Sequence, residues 1–76
     1  MVVYYVAIDN KDVWVGKTER FPSEVIFGKW TTSMIGNVDI VYFKTEQEAK
    51  TVAIQEIESI MQEYQEQLDK LNGESK

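Results

Sequence analysis

The chain has 76 residues, 43% of them hydrophobic and 12% aromatic, with no cysteine and no histidine. Eight Lys or Arg against thirteen Asp or Glu leave a formal charge of −5. That excludes a disulfide framework, a thiol nucleophile, a zinc-thiolate staple and the usual histidine base or ligand, and it denies a nucleic-acid binder its basic footprint.

A chain of this size supports one small domain, spanning 1–76 with a frayed tail at 73–76. The N-terminal run Met1–Ile8 is apolar but short, without a basic start or a small-residue cleavage site, so it reads as a strand rather than a leader or a membrane span. Its β-branched and aromatic residues suit a pleated sheet, over about 2–8. Val2, Tyr4, Val6 and Ile8 share one face, while Val3, Tyr5 and Ala7 share the other. Both faces are apolar, which points to a central or doubly covered strand. Asp9-Asn10-Lys11-Asp12 has hairpin-turn chemistry, and 12–18 is the returning strand.

Pro22 breaks the chain near Phe21. Beyond it, 24–32 is strand-like by composition, with a short helical turn capped by Ser23 as the alternative. Gly36-Asn37 marks a turn before a last strand at 38–43, whose consistent face is Val38, Ile40 and Tyr42.

The strongest signal is a helix over about 46–71. Thr45-Glu46-Gln47-Glu48 is a capping box, and Ala49, Ala53, Ile57, Ile60, Tyr64, Leu68 and Leu71 recur at helical spacing, widened by Ile54 and Met61. Asn72-Gly73 is a stop signal. The expected fold is α+β: an antiparallel sheet of three to four strands covered by one long C-terminal helix.

Such a helix is roughly 40 Å long, against ~20 Å for a six-residue strand. It should overhang the sheet and leave Met61, Tyr64, Leu68 and Leu71 as a self-association surface, most simply in a two-fold homodimer. Longer strands or a curved sheet would instead cover the stripe. Charge is divided in the same way. Residues 1–38 are neutral, and the excess of carboxylates lies in the second half, chiefly on the helix.

Gly16-Lys17-Thr18 lacks the first glycine and the preceding α/β unit of a phosphate loop, since position 11 is Lys11. Asp9, Asn10 and Asp12 lack the alternation, glycine and closing glutamate of a calcium loop. Ser23, Ser33 and Ser59 have no activating histidine, and carboxylate pairs on one solvated helix lack the pocket that separates two pKa values. The expectation is therefore a non-enzyme without metal or cofactor, cytoplasmic and not membrane-bound. Its size and composition are common among small proteins of bacteria, plasmids and phages.

The leading functional expectation is a protein-binding inhibitor or adaptor. Glu56, Glu63 and Glu66 would face a basic partner, and Trp14 and Trp30 would serve as sheet anchors. The alternative is an accessory subunit that works by helix-mediated homo-oligomerisation. A third reading, a single-stranded nucleic-acid binder, would stack bases on the sheet aromatics.

Overall fold

The computed structural model describes residues 1–33 and 36–74. β1 (Val2–Asp9) and β2 (Asp12–Glu19) form an antiparallel hairpin closed by Asn10-Lys11, with Asp9 opposite Asp12. Asn10 takes the left-handed conformation (φ 61) that asparagine tolerates at a tight turn. At the open end, the Arg20 N–H donates to the Met1 carbonyl at 3.0 Å and extends the ladder by one step.

β1 also pairs with β4 (Asp39–Phe43), and β4 pairs with β3 (Thr31–Thr32), giving the antiparallel order β2-β1-β4-β3. The two-faced apolar strand is central, as its composition requires. The sheet is packed against one long helix, α1 (Glu46–Glu74), and the fold is α+β.

Register divides the residues between two faces. Tyr4, Val6 and Ile8 lie beside Phe43, Val41 and Asp39, and opposite Lys17, Val15 and Val13. This is the face under the helix. Val6, Val41, Ala49 and Ala53 form the buried cluster, bordered by Tyr4, Val13, Val15, Phe43 and Val52. On the other face Tyr5, Ala7, Trp14, Gly16, Ile40 and Tyr42 are neighbours. The Val38, Ile40 and Tyr42 face of the last strand is thus the one turned away from the helix, and Val41 supplies the core. Tyr5 lies across the strand over Gly16, where a Cβ would collide with its ring, and meets Tyr42 edge-on at 6.3 Å.

The strand expected over 24–32 forms only at Thr31–Thr32. Pro22 opens a 3-10 turn (Pro22–Glu24) capped by Phe21 with no side-chain hydrogen bond, so Ser23 is inside the turn rather than its cap. Gly28 (φ 75) then bends the chain, and its N–H donates to the Tyr42 carbonyl at 2.9 Å, next to an isolated parallel bridge between Phe27 and Tyr42. A left-handed residue in mid-segment is incompatible with one continuous strand. Gly36 and Asn37 both have positive φ, and the Ser33 N–H donates to Val38 across that turn.

The helix starts where the capping box places it. The Glu48 N–H donates to Thr45 Oγ1 at 3.3 Å, and the Thr45 hydroxyl donates to Glu48 Oε1 at 3.0 Å. The Glu48 carboxylate therefore closes the box on the hydroxyl. Asn72-Gly73 does not end the helix, which continues through both residues. Gly73 keeps helical geometry and is not among the residues with positive φ. Ser75 and Lys76, part of the expected frayed tail, lie outside the described residues.

Because Val41 is fully enclosed and Leu68 is not, Val41→Ala should lower unfolding stability by about 2 kcal/mol. In the same urea titration at low protein concentration, Leu68→Ala should change it by less than ~0.5 kcal/mol. Equal losses would place Leu68 in the monomer's core and contradict this architecture.

Candidate functional site

Helix α1 has 29 residues and is therefore about 43 Å long. The strands beneath it have five to eight residues, and the molecule measures 57 × 27 × 16 Å. Only the first half can be covered. Ala49 and Ala53 are buried, Val52, Glu56 and Ile60 are half-buried, and every residue from 61 to 73 is exposed. Short side chains at 49 and 53 let the helix approach the sheet closely, and the helix leaves it after Ile60.

The apolar periodicity read as one stripe is in fact two. Ala49, Val52, Ala53 and Ile60 face the sheet. Ile54, Ile57, Met61, Tyr64, Leu68 and Leu71 form a second stripe, rotated by roughly a quarter-turn. All six are exposed, Met61 and Leu71 at 64% and 63%. Met61, Tyr64, Leu68 and Leu71 are thus brought together on one open face, continued toward the N-terminus by Ile54 and Ile57. Their alternating spacing of three and four was the available signal for these two additional positions.

The tip of the β1–β2 hairpin marks where the sheet ends. Lys11 Nζ donates to Glu63 Oε2 at 2.9 Å and sits 4.7 Å from the centre of the Tyr64 ring. The Glu63 hydrogen bond holds the Lys11 ammonium above its ordinary pKa. A second pair braces the start of the helix: Lys50 Nζ reaches Glu46 Oε1 at 2.7 Å, raising the lysine and lowering the carboxyl.

The three carboxylates expected to form a binding face share one side of α1, but only Glu66 is an exposed group without a described ion pair. Glu56 is half-buried toward the sheet, and Glu63 is held by Lys11. The two tryptophans do not form one surface. Trp14 is on β2 at one edge, whereas Trp30 precedes β3 at the other. Trp14 instead lines a shallow concavity of about 320 Å³ on the outer sheet face, together with Tyr5, Tyr42, Ile40 and Arg20. Arg20 Nη1 is turned onto its own neighbourhood, donating to the Glu19 carbonyl at 2.9 Å and to Thr18 Oγ1 at 3.3 Å.

Among the described residues the buried side chains are all hydrophobic, and no buried side-chain nitrogen or oxygen lacks a partner. Nor do those residues contain a cluster of three His, Cys, Asp or Glu side chains able to hold a metal ion. No described helix is long and apolar enough to cross a membrane. The exposed features of the arrangement are the apolar stripe of α1 and the concavity on the outer sheet face. Comparison with known protein families, with curated proteins and with solved structures finds no match.

The Lys11–Glu63 contact gives a pH test. A lysine whose folded pKa is raised contributes fully below its ordinary value, and that contribution is lost as pH rises through the raised one. Helical ellipticity should therefore fall through the alkaline range in the native chain and less so in Lys11→Arg, whose charge persists. Superimposable profiles would show that the contact does not hold the helix.

Proposed function

We propose that this chain is a non-catalytic protein-binding module whose binding element is the projecting half of α1. The observation that supports this most directly is the exposed stripe from Ile54 to Leu71 on a helix that the sheet leaves uncovered. Six large apolar side chains in one line exceed the scattered exposure normal for a small monomer, and contiguous patches of this kind mark association surfaces. A helix laid against another helix or into a groove is a common way for an amphipathic segment to bind.

Within this reading the sheet is a platform. It fixes the direction of the helix through the Thr45 cap, the Ala49 and Ala53 contact and the Lys11–Glu63 pair, and so holds the start of the stripe, Ile54 and Ile57, in binding geometry before any partner arrives. Pre-ordering lowers the entropic cost of association. An inhibitor, an adaptor or an accessory subunit could each use such an element. A second reading places a partner on the outer sheet face, favoured by the concavity beside Trp14, Tyr5 and Tyr42. A basic partner held by Glu66 and its neighbours on α1 would bind with affinity that falls steeply as salt rises, whereas the apolar stripe should be far less sensitive.

The test is affinity capture from the native host with three baits: the native chain, a Met61→Glu/Leu68→Glu variant, and a Glu56→Gln/Glu63→Gln/Glu66→Gln variant. The stripe variant should lose the bound protein, whether that is another chain or the same one, and the carboxamide variant should keep it. Capture that survives the stripe variant and is lost with the carboxamides would overturn the proposal.

A further inference from the structure

We infer that the occupant of the exposed stripe is a second copy of this chain, paired helix to helix about a two-fold axis. The inference rests on the reading of α1 as the binding element and names its partner. Positions 54, 57, 61, 64, 68 and 71 alternate by three and four, which is the seven-residue repeat of a two-helix seam. Ile54, Met61 and Leu68 occupy one core position, and Ile57, Tyr64 and Leu71 the other. Ala49, Ala53, Glu56 and Ile60, turned toward the sheet, keep the same spacing, but their line includes a carboxylate and is at least half-buried within the monomer. A strict repeat on the uncovered side is suited to knobs-into-holes packing against a like helix; within the monomer its Tyr64 meets Lys11 of the hairpin tip.

Charge placement selects a like partner. The seam is flanked by Ala53, Ile60 and Gln67 on one side and by Glu58, Gln65 and Asn72 on the other. These positions set which helices pair, and only Glu58 among them is charged. The remaining carboxylates of this region, Glu56, Glu63, Glu66 and Asp69, lie off the seam and its borders. A strongly acidic helix can meet a copy of itself only if like charges are kept from the contact, and that is the distribution seen. A seam built for a basic partner would carry its acids at the flanks.

Size and access agree. From their exposed fractions, the six side chains offer on the order of 700 Å² per chain, close to the ~800 Å² per partner of an ordinary specific interface. The sheet lies roughly a quarter-turn away around the helix, and the seam is approached from it only at Tyr64, where Lys11 Nζ sits 4.7 Å from the ring centre.

Light scattering on gel-filtered protein, from low to high micromolar, tests the inference. The native chain should move toward twice its 8.8 kDa mass as concentration rises. The Met61→Glu/Leu68→Glu variant should stay at the single mass throughout, with circular dichroism confirming that its sheet and docked helix are folded. Glu66→Gln, off the seam, should dimerise like the native chain. A native chain that remains monomeric overturns the second copy as occupant, as does a dimer that persists in the folded double variant. If the monomeric native chain still captures another protein through the stripe, the binding-module reading stands while this inference falls.

Discussion

A sheet with strands of two to eight residues cannot cover a helix of 29. The rest of the structure follows from that mismatch. Hydrophobic burial is available to the helix only where strands lie beneath it, and there it is taken up by small residues. Ala49 and Ala53 bring the backbone close to Val6 and Val41, forming a core of few atoms. Further along, no strand remains, and the same helix must either fray in water or be covered from outside the monomer. An isolated helical extension of about three turns has little stability of its own.

The docked half is held at two points that are not part of the apolar core. At its start, Thr45 and Glu48 satisfy helix-end donors, and Glu46 pairs with Lys50 near the positive end of the macrodipole. At its far end, Lys11 on the hairpin tip grips Glu63 and Tyr64. These solvent-facing contacts contribute modestly to stability. Their effect is directional: they fix the angle at which the helix leaves the sheet, and with it the orientation of Ile57, Met61 and Leu68. The net acidity then acquires a local meaning. It is borne by the helix, but away from the line where a second helix would lie.

Much of this was legible from the residues alone. The doubly apolar run at 2–8 required a central strand, the Asp9–Asp12 turn required a hairpin, and Thr45 with Glu48 fixed the start of the helix. The projection of the helix also followed from length. What the sequence left ambiguous was rotation about the helix axis. Ala49 and Ala53 belong to the sheet stripe and Met61 and Leu68 to the other. The two overlap within one broad apolar arc, so helical periodicity alone merges them. Segment 19–37 was obscure for a different reason. Its β-forming composition was interrupted by the backbone limits of Pro22 and the left-handed Gly28, and only Thr31–Thr32 reached the sheet. Glu56 and Glu63 looked like free surface charges because the hairpin tip that approaches Glu63 is 52 residues away in the chain.

In this reading α1 has a first half stabilised within the monomer and a second half that depends on another molecule. Amide hydrogen exchange, followed residue by residue at low and high protein concentration, tests it directly. Protection over 49–56 should be the same at both, while protection over 64–71 should be weak when dilute and rise with concentration. Strong, concentration-independent protection through 64–71 would show instead that the monomer stabilises the entire helix without a partner.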